Sequence, residues 1–459
     1  MIRYDLLVIG SGPAGQRAAV QAAKLGKRAA IIEKRQVVGG VCINTGTIPS
    51  KSLREAVLYL TGFGQRSIYG SSYTVKDQIT MDDLMLRSTH VIKREIDVTM
   101  AQMKRNHVEM LSGEASFVDA HTVKVEGASE SNTVAADHIV IAVGTRPTPP
   151  PGVTCDSSHL IDSDGILDVR ELPRTLTVVG AGVVGLEYAS IFATLGVEVT
   201  VVDKRDRLLD FVDAEIVESL SYQLRQRGTT MRLGEEVKNI SCVSGRATAE
   251  LVSGKKIVSD MILFSAGRTG AVEKLNLAAV GIEADDRGRI PVDAYYRTKV
   301  PHIYACGDVI GFPSLASTSM EQGRLAAAHA FGKDVSPMPK VFPFGIYTIP
   351  EISMVGPTEA ELTKAAVPYE TGVSHYNEIA RGQILGDETG MLKLIFHGES
   401  RKLLAAHAIG TGATELIHIA QAVATLGGTL DYFLTSVFNY PTLAECYKVA
   451  ALDCANKMD

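Results

Sequence analysis

Two glycine-rich turns carry the strongest chemical signal in this sequence. The first is Gly10-Ser11-Gly12-Pro13-Ala14-Gly15 and the second is Gly180-Ala181-Gly182-Val183-Val184-Gly185. In such a turn the first glycine permits a tight bend. The second lets backbone N–H groups approach a pyrophosphate, and the third lets a helix pack close on a strand. The helix N-terminus then presents partial positive charge to the phosphates. An acid follows the first glycine of each turn by 23 positions: Glu33 in one copy, Asp203 in the other. An acid so placed accepts hydrogen bonds from an adenosine ribose. One glycine turn is weak evidence, but two with the same acid spacing and the same flanking pattern are strong. Two dinucleotide sites in one chain point to a redox relay, with a tight flavin in one and an exchanging nicotinamide in the other.

The elements that must position these groups follow from the apolar runs. Strand Tyr4–Ile9 feeds the first turn, a helix runs to about Lys24, and strand Ala29–Ile32 ends at Glu33. The second copy predicts strand Thr175–Val179, a helix to about Leu195, and strand Glu198–Val202 ending at Asp203. Met81–Asn106 reads as largely helical. Further strands are expected at Ile139–Val143, ending at Gly144; at Ile262–Ala266, ending at Gly267-Arg268; and at His302–Cys306, ending at Gly307-Asp308. Pro147, Pro149, Pro150 and Pro151, and then the stretch Pro337 to Pro343, mark connections. The final part of the chain alternates strands with one helix around Thr414–Leu426.

Composition narrows the class. The 459 residues carry a net charge of −6, with 46% hydrophobic and 21% charged residues, values of a globular protein. No basic block suggests a nucleic-acid partner, so bound phosphates must be held locally. No apolar run reaches the roughly 20 residues a membrane span needs. The start of the chain runs from strand to glycine turn and lacks the pattern of a secretory leader. Cys42, Cys155, Cys242, Cys306, Cys446 and Cys454 are scattered without C-x-x-C or zinc-ligand spacing. They read as reduced thiols of a cytoplasmic protein, with no metal site. The set has room for one disulfide, but Cys446 and Cys454, on what reads as one helix, are expected to be unbonded to each other.

The segment Gly39-Gly40-Val41-Cys42-Ile43-Asn44-Thr45-Gly46-Thr47-Ile48-Pro49-Ser50-Lys51 carries a resemblance. With both glycine turns, Gly307-Asp308 and Tyr347-Thr348-Ile349-Pro350-Glu351, it resembles the two-dinucleotide flavoprotein reductases over essentially the whole chain. That family includes dihydrolipoamide dehydrogenase, glutathione reductase and mercuric reductase. The resemblance implies an α/β fold with two Rossmann-like domains and a C-terminal α+β dimerisation domain. The expected boundaries are 1–148 and 269–338 for FAD, 149–268 for NAD(P), and 339–459 for the dimer interface. It implies FAD at the first turn and NAD(P) at the second. Asp308 would hold the ribityl chain, and Lys51 would sit near the flavin ring paired to Glu187. Flavin contacts are further implied at Gly40, Cys42, Thr47, Ala115, Gly144 and Ala316, and a coenzyme contact at Gly267.

The departures from that pattern are informative. The disulfide-reducing members carry two cysteines spaced C-x-x-x-x-C, and here Thr47 follows Cys42 at the second position. A hydroxyl can form neither a disulfide nor a thiolate. Tyr440, in Phe438-Asn439-Tyr440-Pro441-Thr442, stands where those members place an acid–base histidine, and Glu445 has thereby lost its partner. The combination resembles the soluble pyridine nucleotide transhydrogenase branch. It implies Si-specific, ping-pong hydride transfer between NADPH and NAD+ through FAD in a homodimer or larger assembly. The alternative is a dihydrolipoamide dehydrogenase-like reductase, or an NAD(P)H diaphorase, using Cys42 alone. At the second site Asp203 suits the free 2′-hydroxyl of NAD, whereas Lys204 and Arg205 could meet the 2′-phosphate of NADP.

Overall fold

The computed structural model describes residues 1–148, 153, 158–243, 245–339 and 341–458. Its first sheet grows from strand Ile2–Ile9, whose Leu6, Leu7, Val8 and Ile9 are buried on both faces. Such a continuous apolar run suits a parallel strand covered on both sides, and each of these side chains stabilises the fold by roughly 2 kcal/mol on burial. The strand pairs in parallel with Ala29–Glu33 (Leu6 against Ala29, Ile9 against Ile32) and with Ser131–Ile141 (Leu6 against His138). Glu109–Ser112 and Ile303–Ala305 extend the parallel part, and the hairpin of Glu114–Asp119 with Thr122–Glu126 completes the sheet.

A second parallel sheet repeats this order. Thr175–Val179 lies between Glu198–Asp203 and Met261–Phe264, flanked by Thr230–Leu233 and Leu160–Asp162. The duplication therefore extends beyond the strand–turn–helix–strand unit to a strand on each side of it. In open sheets of this kind ligands bind beyond the carboxyl ends of the strands, where the strand order reverses. Both glycine turns sit at that place. A short ribbon, Thr145–Pro147 with Arg268–Gly270, joins the two halves. A third, antiparallel sheet contains Phe344–Ile346, Ile352–Val355, Leu403–Ile409, Met391–His397 and Tyr369–His375.

Most expected elements fall within one or two residues of their forecast ends. Pro13–Lys24 and Val183–Thr194 are the two turn helices, and Met81–Arg105 is one long helix opened by a Thr80–Asp83 capping box. Three expectations need correction. Strand Ser131–Ile141 starts eight residues earlier than forecast, because its first half pairs with a hairpin the sequence did not signal. The C-terminal part holds more helix than expected: besides Ala413–Thr425 and Glu445–Met458, the helix that carries Cys446 and Cys454, there are three shorter ones. Cys242 is disulfide-bonded, so the reading of reduced thiols fails there and the one disulfide left open by the sequence is present. Cys42, Cys306, Cys446 and Cys454 are free thiols, the last two on one helix. Cys155 and Pro149 to Pro151 lie outside the described residues. Among the described residues no helix is long and apolar enough to cross a membrane.

Candidate active site

Each turn is locked by its own acid. Ser11 donates its backbone N–H (3.0 Å) and its hydroxyl (2.5 Å) to one oxygen of Glu33, and Arg35 donates its backbone N–H to the other (2.9 Å). In the second copy the Ala181 N–H meets Asp203 at 2.6 Å and the Arg205 N–H meets it at 2.8 Å. The acids thus brace the two glycine turns; Glu33 Oε1 keeps a lone pair free for a ribose, whereas both oxygens of Asp203 are fully engaged once the Arg205 side chain is included. Gly10 and Gly180 have φ of +105° and +108°, which a side chain would strain. Gly15 and Gly185 are close-approach positions: a Cβ on either would lie 1.9 Å from the carbonyl oxygen of Gly10 or Gly180.

A cavity of about 520 Å³ opens beyond the first turn. Of the residues expected at the flavin, Gly10, Gly12, Glu33, Gly40, Cys42, Thr47, Ala115, Gly144, Asp308 and Ala316 line it. Gly15 lies behind the turn as a packing residue, and Lys51 stands outside the lining. Four helices whose first residues line this cavity, Pro13–Lys24, Gly40–Asn44, Thr47–Leu60 and Ala316–Ala330, have no side-chain cap at their N-termini. Free helical N–H groups converging on one cavity fit a pyrophosphate. Burial raises the Asp308 carboxyl above its usual range, with the Arg268 charge opposing. No hydrogen bond to a described residue satisfies it, so the carboxyl suits a polyol such as the ribityl chain. These residues fit FAD.

Lys51 and Glu187 meet where the two halves face each other. Lys51 Nζ lies 2.7 Å from Glu187 Oε2, with side chains 26% and 5% exposed. Glu187 Oε1 accepts the Tyr347 backbone N–H at 2.9 Å, and Lys51 Nζ sits 4.9 Å above the Tyr347 ring. Sequence reasoning quoted Tyr347 within a motif but gave it no role. Cys42 is partly buried; burial raises its thiol pKa, which the Thr47 hydroxyl beside it partly offsets. A raised thiol is a poor nucleophile. Tyr440 is 74% exposed, and the buried Oε2 of Glu445 has no hydrogen-bond partner.

At the second site Arg205 folds back onto Asp203, with Nε at 3.0 Å and Nη2 at 2.9 Å. Burial pushes the Asp203 carboxyl up, but the hydrogen bonds from Arg205 and Ala181 outweigh it and leave it below the usual range. Lys204 is exposed. The first copy carries the same run, Glu33-Lys34-Arg35, yet there Arg35 bonds its acid only through the backbone. A basic pair after the acid is therefore no mark of a 2′-phosphate site by itself; the folded-back guanidinium is what differs. Gly267, at φ +139°, accepts the Thr148 N–H in the joining ribbon and is absent from the cavity lining.

The pyridine nucleotide-disulphide oxidoreductase family model matches residues 4–323, and the dimerisation domain of the same family matches 342–451. The chain belongs to this family. The oxidoreductase is 56% identical to a soluble pyridine nucleotide transhydrogenase of Mycobacterium tuberculosis, over 100% of this chain and 98% of that one. A protein of the same name from Yersinia pestis is 45% identical over 99% and 98% of the two chains. Among solved structures, the HOCl-induced flavoprotein disulfide reductase RclA of Escherichia coli has a TM-score of 0.88 at 26% identity, covering 98% of this chain and 99% of its own. LpdA of M. tuberculosis superposes with a TM-score of 0.91 at 24% identity and the same coverage, a likeness of fold. Carrying the family's dimerisation domain, the oxidoreductase is a homo-oligomer.

Proposed function

We propose that this oxidoreductase is a soluble, Si-specific NAD(P)+ transhydrogenase of the cytoplasm that moves hydride from NADPH to NAD+ through tightly bound FAD. In this reading residues 1–148 and 269–338 hold FAD, 149–268 the exchanging coenzyme, and 339–459 the partner copy. The observation that carries the proposal is a contrast. Both phosphate turns and the Lys51–Glu187 pair are in place, whereas Thr47 and Tyr440 occupy the two positions that thiol chemistry needs. The names of the relatives support the same activity.

A flavin in the cavity supplies the ability to accept hydride from one nicotinamide and return it to another. The chain's own residues bind and orient. The turn N–H groups would hold the pyrophosphates and Asp308 would accept hydrogen bonds from the ribityl hydroxyls, while Lys51, braced by Glu187, places a fixed positive charge at the junction of the two halves. Cys42 stays protonated and takes no part.

Anaerobic stopped-flow mixing tests the reading. NADPH bleaches the flavin absorbance, and NAD+ added after removal of NADP+ restores it. Failure of NAD+ to restore the colour defeats the proposal. Cys42→Ala retains NADPH-to-NAD+ transfer within about threefold, since a raised, half-buried thiol contributes little beyond its volume. The alternative, a lipoamide reductase or diaphorase working through Cys42 alone, rests on that thiol's place in the cavity lining. It requires Cys42→Ala to abolish activity.

Coenzyme choice gives a second test. Asp203→Asn keeps an oxygen for the Ala181 N–H, removes the charge that repels a 2′-phosphate and releases Arg205. The Kd for NADP+ is expected to fall by roughly tenfold relative to that for NAD+, the worth of one charge-assisted contact. An unchanged ratio in titration calorimetry means that Asp203 and Arg205 stand away from the ribose.

A further inference from the structure

The charged pair is held from a third direction. Residues Tyr347 to Ile349 run across the helices Thr47–Leu60 and Val183–Thr194 that carry Lys51 and Glu187. Each helix grips this strap one turn beyond its charged residue. Arg54, three residues after Lys51, donates Nε to the Thr348 carbonyl at 3.0 Å. Ser190, three residues after Glu187, accepts the Ile349 N–H at 3.0 Å. Residues three apart share a helix face, so on both helices the charge and the grip point the same way. Arg227, from the second half, donates to the Ile349 carbonyl, and Glu351 at the strap's end pairs with Arg54 at 3.3 Å. Thr348 is fully buried. The strap therefore has little freedom, and its first residue touches both members of the pair: backbone N–H to Glu187, ring to Lys51.

We propose that Tyr347 is a positioning residue for the Lys51–Glu187 pair, its backbone N–H fixing the carboxylate and its ring carrying the ammonium. The inference rests on the proposed function only in taking the pair as part of the hydride-transfer site. Ordinary pairing of Lys51 and Glu187 leaves the lysine stem several rotamers; the aromatic face beneath Nζ selects one. Because the strap lies within the dimerisation domain, residues 342–451, the seating of that domain on the two nucleotide halves sets the geometry of the pair.

The test replaces Tyr347, in the full-length FAD-bound protein, with phenylalanine and with phenylalanines of increasing ring fluorination. These keep the shape of the side chain while weakening the negative ring face. Three quantities are read: acylation of Lys51 followed by peptide mass spectrometry, the midpoint potential of the flavin, and the rate at which NADPH reduces it. Acylation of Lys51 is expected to rise stepwise along the series, reaching roughly threefold to tenfold as Nζ leaves the ring, and the potential to move in the same order. Tyr347→Leu gives the full effect, and Tyr347→Phe recovers most of it. A flat series, or equal effects of leucine and phenylalanine, overturns the proposal. If the leucine variant loses its flavin, the fluorinated series decides alone. If NAD+ fails to reoxidise the wild-type flavin, the transhydrogenase reading falls, while the Lys51 acylation series still decides the role of Tyr347.

Discussion

Glu187→Gln slows reduction of the bound flavin by NADPH by roughly 30-fold while the protein still purifies with its flavin. The amide can still accept the Tyr347 N–H, so the geometry of Glu187 survives and only its charge is lost. Lys51 is then left with the Ser50 hydroxyl at 3.3 Å and the Tyr347 ring. Removing one partner of a fully buried ion pair costs about 3–5 kcal/mol. Lys51 is 26% exposed, so water recovers part of this stability cost; the rate falls by the share, about 2 kcal/mol, that a fixed Lys51 charge contributes in the transition state and not before it. The loss appears in the rate and not in flavin content, because neither Glu187 nor Lys51 lines the cavity beyond the first turn. Stopped-flow absorbance at saturating NADPH measures it directly. A rate within threefold of the wild type reduces the pair to a structural tie between the two halves. Lys51→Met provides the complementary case: it strands the Glu187 carboxylate at 5% exposure and adds a loss of thermal stability to the loss of rate.

The parts of the site that were legible in the sequence are those made by neighbours in the chain. Glycine turns, the strands feeding them and the acid 23 positions on form one local unit, so spacing alone places Gly10, Gly15 and Glu33, and again Gly180, Gly185 and Asp203. Spacing did not reveal that each acid braces its own turn through Ser11 and Arg35, or through Ala181 and Arg205. A ribose-binding acid and a turn-bracing acid leave the same sequence trace. Tyr347 escaped because it meets Glu187 across 160 positions, and Arg227 because it reaches Ile349 across 122. Such contacts exist only once three sheets have packed together. That Cys242 is the cysteine in a disulfide escaped for the same reason: scattered cysteines carry no record of which segments approach one another.

The duplication makes the two sites separable by a matched pair of substitutions. Gly15→Ala and Gly185→Ala each drive a methyl group to 1.9 Å from a backbone carbonyl, that of Gly10 or Gly180. Backbone at the end of a fully paired strand cannot yield, so the helix must back away and take its N-terminal N–H groups off the phosphates. Overpacking of this kind costs about 1–3 kcal/mol, so the displaced site loses up to roughly 100-fold in affinity. The same lesion has opposite readouts. Gly15→Ala yields protein that has lost most of its flavin colour and recovers it only with FAD in large excess. Gly185→Ala keeps the flavin spectrum of the wild type, but the NADPH concentration needed for half-maximal bleaching rises by about two orders of magnitude. Chemical reduction by dithionite still bleaches the Gly185→Ala protein, which shows that the flavin itself is sound. Should Gly185→Ala lose flavin, or Gly15→Ala keep it and lose NADPH, the assignment of the two turns is reversed. If both variants titrate as the wild type does, the turns are not the phosphate sites, and no relay between two bound carriers remains.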